Sequence, residues 1–358
     1  MLITSIELQN FRNYKLQKIN LNSNINVFFG DNAQGKTNIL ESVFISAFGK
    51  SYRAKKDNEL IKIGEDFSNI IVNYKNNRRA GNVKIQISNK KSIILNGIKI
   101  KKLSELLGNI NIVLFTPDDI NILKEGPSKR RRFLDMMIGQ IRPNYVYAIN
   151  EYMKVLEQRN NYLKQINNYK TINEDLMQIW DEKLTEYGIQ IAKYRKEFIS
   201  KIAEKIKEIH KEITENKEDI SIEYITDCEN KDDFLSQLKN MRKLDIIKGY
   251  TTKGVQKDDF VIYINGQPVN IYGSQGQYRT SILSLKLCEL EIIKEEIGET
   301  PILLLDDFMS ELDEKRICNF AKHIKNTQVI ITCTKEIYEE EVNKTVFYIK
   351  EGKVEYKK

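Results

Sequence analysis

Two groups of residues that are able to handle phosphate lie near the two ends of the sequence. The first, Gly30-Asp-Asn-Ala-Gln-Gly-Lys-Thr37, matches the pattern G-x-x-x-x-G-K-S/T between a run that predicts a strand and one that predicts a helix. Its glycine backbone can wrap around phosphate oxygens, while Lys36 bridges the outer phosphates and Thr37 holds Mg²⁺. We therefore expect a nucleotide to bind at Gly30, Asp31, Asn32, Ala33, Gln34, Gly35, Lys36, Thr37 and Asn38.

The second group is a pair of acids, Asp306 and Asp307, which follow the aliphatic run Ile302 to Leu305. Such a run also describes many buried parallel strands that bind nothing. The carboxyl ends of strands are, however, where open α/β sheets bind their ligands. There Asp306 suits a water-mediated contact to Mg²⁺, and Asp307 suits the polarisation of an attacking water, with Lys36 as the second catalytic residue. One nucleotide site must then be assembled from residues about 270 positions apart.

A third feature is the loop that holds Ser274, Gly276 and Gln277, immediately before a helical pattern that runs to Ile293. Backbone amides at the start of a helix can receive an anion, so this loop is a candidate for a second phosphate contact. The alternative is that Ser274 is an ordinary helix cap. The position of the loop between the two phosphate motifs favours the functional interpretation.

The composition indicates a cytoplasmic protein with more than one domain. The 358 residues are 41% hydrophobic and 30% charged, and no apolar stretch approaches the ~20 residues that span a bilayer. The N-terminus lacks the basic and apolar segments of a signal peptide, and we expect no membrane partner. The four cysteines have no CxxC spacing, which argues for reduced thiols and against a zinc site.

Positive charge is concentrated in one segment. From Lys50 to Arg132 there are 19 lysines and arginines against 8 aspartates and glutamates, a local net charge of +11 in a chain whose net charge is +7. Such a segment can neutralise DNA phosphates independently of base sequence. The alternatives are a solvated lysine-rich surface and the packing of an arginine between two domains of the protein. The candidate DNA contacts are Arg53, Lys55, Lys56, Arg130, Arg131 and Arg132.

The periodicity divides the chain into a β-rich start, a helical middle and a return of strand character. Asn96-Gly97 and Asn265-Gly266 predict tight hairpin turns. Between them, apolar residues at three-and-four spacing predict an antiparallel pair of amphipathic helices, one from Tyr145 to Ile166 and a longer one from Leu176 to Ile213. The arm is expected to be short, because a helix of about 25 residues reaches only ~37 Å. The predicted domains are an N-terminal head part at 1–117, a helical lid at 118–248 and a C-terminal head part at 249–358.

Several landmarks, in order along the chain, resemble those of the RecF family, bacterial recombination mediators with an SMC-like ABC ATPase head. The resemblance implies an α/β fold: an ABC-type P-loop ATPase head built from both chain ends, with a helical lid inserted. One departure is Gly254-Val-Gln-Lys-Asp-Asp259, where the family commonly has Gly-Pro-His-Arg-Asp-Asp. The matching landmarks are Leu8 to Tyr14, the phosphate loop with its continuation to Glu41, Leu114 to Asp119, Gly126 to Asp135, Ser274 to Gln277 and Leu304 to Asp313.

The resemblance also implies roles for particular residues. Arg12 would neighbour the bound nucleotide, and Ser274 and Gly276 would form an ABC signature that completes the site of the opposite subunit. Ser310 to Asp313 resembles the D-loop of a dimer interface, and Thr332 to Thr334 stands where many ABC proteins have a switch histidine.

By this resemblance we expect a weak DNA-dependent ATPase that uses ATP and Mg²⁺ and forms an ATP-dependent homodimer. It would bind double-stranded and single-stranded DNA at gaps or junctions and promote recombinase loading, with RecR-like and RecO-like partners, at the nucleoid. A DNA clamp or scaffold, in which ATP binding is a structural switch and hydrolysis is incidental, is the alternative. The helical insert and the signature loop argue against a small-molecule P-loop kinase.

Overall fold

A computed structural model of the protein describes residues 1–166, 172–307, 314–334 and 344–357. The chain divides into two units. The first comprises Met1–Asp119 and Lys286–Lys358, and the second comprises Ile120–Leu285. The first unit is thus built from both ends of the chain, as the fold prediction requires.

An antiparallel sheet forms the β-rich start of the first unit. Its strands are β1 (Leu2–Phe11), β2 (Tyr14–Asn20), β4 (Ser68–Lys75), β5 (Ala80–Ile87), β6 (Ser92–Leu95) and β7 (Ile98–Lys99). Their order is β2-β1-β4-β5-β6-β7. Asn96 and Gly97, with φ of 51° and 82°, make the predicted tight turn between β6 and β7.

A second, mostly parallel sheet of the first unit carries the phosphate loop. Its strands are β3 (Ile25–Phe29), β8 (Ile112–Phe115), β12 (Ile302–Asp306), β13 (Val329–Cys333), β14 (Lys344–Lys350) and β15 (Lys353–Lys357). The order is β15-β14-β3-β13-β12-β8, so β3 and β12 both pair with β13. Every residue of β12 and β13 is buried, which is typical of parallel strands covered on both faces. Because these strands are parallel, the carboxyl ends of β3 and β12 meet at one edge.

The second unit is mainly helical, and two of its helices form the predicted arm. These are α4 (Pro143–Ile166) and α5 (Glu174–Thr214). Tyr162 of α4 lies against Trp180 of α5, and Tyr145 lies against Tyr194, which shows that this pair is antiparallel. The 24 residues of α4 match the arm length of about 25 residues, and the 41 residues of α5 match the longer predicted stripe and extend ~60 Å. In the described ranges no helix combines the length and apolar character needed to cross a membrane. Within the described ranges, the helices are α1 (Lys36–Phe48), α2 (Asn121–Lys124), α3 (Pro127–Gly139), α4 (Pro143–Ile166), α5 (Glu174–Thr214), α6 (Lys231–Lys248), α7 (Val269–Tyr272), α8 (Gln275–Ile297) and α9 (Glu314–His323).

The second unit continues beyond the predicted boundary at residue 248. Its strand β10 (Asp259–Ile264) pairs antiparallel with β9 (Ile220–Ile225) and β11 (Gln267–Pro268). The predicted lid therefore contains a strand, and residues 249–285 belong with it instead of with the head. Pairing between strands some 40 positions apart leaves no local signal in the sequence, which explains the misplaced boundary.

Candidate nucleotide-binding site

The phosphate loop runs from the end of β3 to the start of α1, as its pattern predicts. A Cβ at Gly30 would lie 2.4 Å from the carbonyl oxygen of Ile349, and a Cβ at Gly35 would lie 2.5 Å from Asn13 Nδ2. Gly30 and Gly35 also have φ of 153° and 113°, so glycine is required at both positions. Since α1 begins after Gly35, which has no side chain, an anion is able to cap the first turn of the helix.

Hydrogen bonds from two segments that are distant in sequence hold this loop in place. Asn13 Nδ2 donates to the carbonyl of Gln34 (2.7 Å), and Tyr14 Oη donates to the carbonyl of Gly35 (3.0 Å). From the turn between β14 and β15, the N–H of Glu351 donates to Gln34 Oε1 (2.6 Å). Sequence reasoning missed these contacts, although Asn13 lies inside a family landmark. The loop is thus fixed before any ligand arrives.

Lys36 lies across the phosphate loop. Its Nζ donates to the carbonyls of Gly30 (2.6 Å) and Asp31 (2.9 Å). The residue is 7% exposed, and burial lowers its pKa, while the negative charge of Asp307 acts in the opposite direction. An ammonium held by neutral carbonyls is able to exchange them for phosphate oxygens, which form stronger hydrogen bonds with a cation.

Asp306, at the end of β12, meets the phosphate loop directly. Its Oδ1 accepts hydrogen bonds from Thr37 Oγ1 (2.8 Å) and Thr332 Oγ1 (2.9 Å), and its Oδ2 accepts one from Tyr52 Oη (3.3 Å). Burial raises the pKa of Tyr52, which keeps it a neutral donor. Thr37 and Asp306 are 269 positions apart in sequence. The two predicted motifs therefore form one site.

Asp307 follows with a backbone conformation that its neighbour Thr332 supports. Its φ is 49°, in the left-handed region that only a few residue types adopt without strain. Its N–H donates to the carbonyl of Thr332 (3.2 Å) and to Thr332 Oγ1 (3.0 Å). Thr332 is 1% exposed and so braces both aspartates from inside the sheet. The resemblance had placed Thr332 only at the position of a switch histidine.

The oxygen donors of this site fit Mg²⁺ that arrives with a nucleotide. The hydroxyl of Thr37 and the carboxylate of Asp306 are hard oxygen ligands side by side. Among the described residues, no group of three or more His, Cys, Asp or Glu side chains is arranged to hold a metal. Mg²⁺ commonly takes one or two protein ligands and completes its shell with phosphate oxygens and waters. The donor set therefore suits a nucleotide-dependent ion.

Arg12 is engaged by Glu41. Its Nε and Nη2 donate to the two carboxylate oxygens of Glu41 (2.9 and 2.7 Å), and its Nη1 donates to the carbonyl of Glu59 (2.9 Å). This hydrogen bonding raises the pKa of Arg12. Glu41 is fully buried and also accepts a hydrogen bond from Ser51 Oγ (2.5 Å). These bonds tie α1 to the segment that follows it, and the nucleotide contact of Arg12 stays a prediction.

The loop with Ser274, Gly276 and Gln277 begins α8 in the second unit. The N–H of Gln277 donates to Ser274 Oγ (3.2 Å), and the N–H of Ser274 donates to Gln277 Oε1 (2.9 Å), a reciprocal capping box. Ser274 and Gly276 are nonetheless exposed. Because Ser274 Oγ accepts in the cap, its hydroxyl proton can be donated to another acceptor. Capping and anion binding are thus compatible. The predicted D-loop, 310–313, lies outside the described residues.

Of the predicted DNA contacts, Arg53, Lys55, Lys56 and Arg132 are exposed.

Arg130 is a structural residue, so its prediction as a DNA contact is wrong. It is 5% exposed, and its Nε and Nη2 donate to the two carboxylate oxygens of Asp259 (2.6 and 3.0 Å). Its Nη1 donates to the carbonyls of Ile122 and Glu125. Arg131 is partly used in the same way, because its Nη1 donates to the carbonyl of Asp258 (2.7 Å). These bonds hold α3 to β10 within the second unit.

Comparison with known proteins places the whole chain in one family. The RecF/RecN/SMC N-terminal domain family matches residues 2–355. The DNA replication and repair protein RecF of Clostridium perfringens is 46% identical over 340 residues, which cover 93% of each chain. That of Acetivibrio thermocellus is 44% identical over 351 residues, which cover 95% of each chain.

Solved structures agree with this assignment. The recombination mediator protein RecF with ATP, of the RecFOR pathway, has a TM-score of 0.93 at 36% identity, over 99% of this chain and 97% of that chain. The Smc head domain of Pyrococcus furiosus has a TM-score of 0.58 at 17% identity, over 99% of this chain and 95% of that one, which supports the fold alone. The predicted ATPase head with its helical insert is confirmed. The chain belongs to the RecF family of DNA replication and repair proteins.

Proposed function

We propose that this protein binds ATP with Mg²⁺ at the site of the first unit and that ATP controls its dimerisation and DNA binding in recombinational repair. The hydrogen bond between Thr37 and Asp306 carries the proposal, since it unites the two phosphate motifs. The similarity to a RecF structure solved with ATP supports it independently.

The residues of the site suit slow hydrolysis of ATP. Lys36 would exchange its loop carbonyls for phosphate oxygens, and Thr37 and Asp306 would hold Mg²⁺, which neutralises phosphate charge when bound. Asp307 is half-buried, and its backbone is fixed by Thr332, so its carboxylate is able to orient a water and accept its proton. Phosphoryl transfer depends mainly on such positioning and charge stabilisation.

Ser274 and Gly276 are proposed to close the site of a second copy. Their exposed capping box presents a hydroxyl and the N-terminal amides of the 23-residue helix α8, a combination that favours anions. If each copy supplies one phosphate loop and one signature loop, a symmetric dimer holds two identical nucleotide sites. ATP would then act as the bridge between the copies.

Dimerisation would double the exposed basic side chains that one particle offers to DNA. Arg53, Lys55, Lys56 and Arg132 are the candidates that remain at the surface. Phosphate contacts by such residues give salt-dependent affinity without base specificity, and two linked sets bind more tightly than one. A preference for gaps or junctions, recombinase loading, and RecR-like and RecO-like partners complete the proposal on the strength of the family, whose solved member acts in the RecFOR pathway.

The test compares the wild-type protein with Lys36→Arg in sedimentation runs with and without ATP and Mg²⁺, on gapped, duplex and single-stranded DNA at two salt concentrations. Lys90→Arg, at an exposed lysine of the same unit, is the matched control. We expect ATP to produce dimers and tighter DNA binding in the wild type and the control, and neither in Lys36→Arg. ATP-dependent dimers and DNA binding that both survive in Lys36→Arg would contradict the proposal.

The same runs separate the clamp alternative from an ATPase cycle. Full DNA binding with a non-hydrolysable ATP analogue, with no gain when hydrolysis is allowed, would favour a clamp in which ATP is a structural switch. Phosphate release that DNA stimulates would favour the cycle.

A further inference from the structure

The side chain of Gln277 connects the signature loop to the end of the long arm helix. Its Oε1 accepts from the N–H of Ser274 (2.9 Å), while its Nε2 donates to Glu218 Oε1 (3.0 Å). Both ends of the amide are therefore used, and the second bond leaves the capping box for a residue just after α5. A capping box by itself does not require this bond to Glu218.

A second residue, His210, lies beside Glu218. The ring of His210, in the last turn of α5, is fully buried, with Nε2 3.4 Å from Glu218 Oε2 and Nδ1 2.9 Å from Ser284 Oγ on α8. The hydroxyl of Ser284 donates to the carbonyl of Thr280 (2.8 Å), so its oxygen is available to accept from Nδ1 of His210. His210 thus contacts α8 through Nδ1, and its Nε2 lies beside the Glu218 carboxylate without a hydrogen bond.

The backbone next to Glu218 is anchored as well. The N–H of Asp219 donates to Asn265 Oδ1 (2.9 Å), and the N–H of Asn265 donates to the carbonyl of Asp219 (2.9 Å). Asn265 belongs to the tight turn between β10 and β11. The backbone beside Glu218 is therefore held by the turn between β10 and β11, while the Glu218 carboxylate accepts from Gln277 of the loop.

We propose that Glu218 is a positioning residue that fixes the signature loop in the conformation that receives the nucleotide of a second copy. Ser274 and Gly276 are exposed, and the two bonds of the Gln277 amide connect their loop to Glu218. If the bond from Gln277 to Glu218 is lost, Gln277 is free to leave the capping box, and the Ser274 hydroxyl loses its fixed direction. This inference rests on the proposed ATP-bridged dimer.

The consequence is amplified by symmetry. A loop that must be ordered during association weakens binding, because immobilising side chains and backbone opposes it. If each loosened loop weakens association about tenfold, which is about 1.4 kcal/mol, a dimer that uses the loop twice loses about 100-fold in affinity. Binding of ATP to a single copy would not change, since the phosphate loop belongs to the other unit.

The test uses Glu218→Ala, which removes the acceptor, and Glu218→Gln, whose amide oxygen can still accept from Gln277. Glu223→Ala is the matched control, because Glu223 lies on the neighbouring strand β9 and accepts from Tyr263 Oη (3.0 Å) instead. Two quantities are measured: hydrogen exchange of the amides of residues 273–279 without nucleotide, and the dimer Kd in ATP and Mg²⁺ by sedimentation. If Glu218→Ala does not fold, Glu218→Ser removes the same acceptor at a site that is 22% exposed.

We expect Glu218→Ala to speed exchange in the loop about tenfold and to raise the dimer Kd about 100-fold, with ATP binding to the dilute protein unchanged. Glu218→Gln and Glu223→Ala should behave like the wild type. Unchanged exchange in Glu218→Ala, or an equal effect of Glu223→Ala, would overturn the positioning role. A wild-type protein that does not associate with ATP would instead refute the proposed function, while the exchange data still decide whether Glu218 orders the loop.

Discussion

Thr332 offers the sharpest test of how the catalytic edge is built. Replacing it with valine keeps almost the same volume and removes one hydroxyl. That hydroxyl donates to Asp306 Oδ1 (2.9 Å) and accepts from the N–H of Asp307 (3.0 Å). After the change, Asp306 keeps its bonds from Thr37 and Tyr52, and the N–H of Asp307 keeps the carbonyl of Thr332. The loss is therefore close to one hydrogen bond to a buried carboxylate.

Such a bond contributes about 2 kcal/mol to the free energy of unfolding. For a unit of this size, the midpoint temperature of thermal unfolding shifts by ~2–4 °C per kcal/mol. We therefore expect the midpoint of the first unit to be about 4–8 °C lower. The Asp306 carboxylate would also lose part of its fixed orientation, so we expect ATP turnover to fall about 10- to 30-fold. Calorimetry measures the first effect, and phosphate release at saturating ATP measures the second.

Two further variants identify the cause. Thr332→Ser restores the hydroxyl without the methyl group and should recover most of the turnover, while Thr345→Val, at a buried threonine of β14, should leave turnover unchanged. Equal impairment of Thr332→Ser and Thr332→Val would show that methyl packing matters instead of the hydroxyl. Unchanged midpoint and turnover in Thr332→Val would refute the bracing role altogether.

Three other outcomes follow from the second unit and from the basic segment. Arg159 is fully buried and pairs with Asp181 (3.0 Å) and Asp245 (2.8 Å). Because Arg159→Met leaves these carboxylates without this cation, it should lower the free energy of unfolding of the second unit by about 3–5 kcal/mol in urea, and a loss under about 1 kcal/mol would contradict this. Burial lowers the pKa of His210 below 6.5, so the unfolded chain takes up this proton first, and the free energy of unfolding should fall as the pH drops through 6.5. His210→Gln should flatten this dependence of stability on pH, and identical slopes in the variant and the wild type would contradict the prediction. Changing Lys55 and Lys56 together to alanine should reduce the slope of log K for DNA binding against log salt concentration by about two, for every DNA sequence. Arg130→Ala should instead lower stability and leave this slope nearly unchanged, and the reverse pattern would contradict both assignments.

The features that could be predicted are those with a local physical signature. The phosphate loop is visible because Gly30, Gly35, Lys36 and Thr37 each serve a separate requirement of the bound phosphate at fixed spacing. The arm helices are visible because their apolar stripe repeats at helical spacing. The stripe from Leu176 to Ile213 predicts nearly the whole of α5, which packs against β9 as well as against α4.

The features that could not be predicted depend on contacts between distant segments. In the sequence, Arg130 cannot be distinguished from an arginine that is exposed and free to contact DNA. Only the approach of Asp259 makes Arg130 a buried structural residue. The lid boundary was misplaced for the same reason, because β9 and β10 become one sheet only through long-range pairing.

By itself, the sequence determined that this protein has a P-loop, a helical insert and the motif order of an ABC-type head, because glycine spacing and hydrophobic period act over short distances. The tertiary structure decided that Thr37 and Asp306 share a hydrogen bond, that Thr332 braces both aspartates, and that Glu218 reaches the signature loop. Those contacts depend on the order of the strands and on the antiparallel packing of α5 against α4. Both arise when apolar surfaces from distant parts of the chain are buried together.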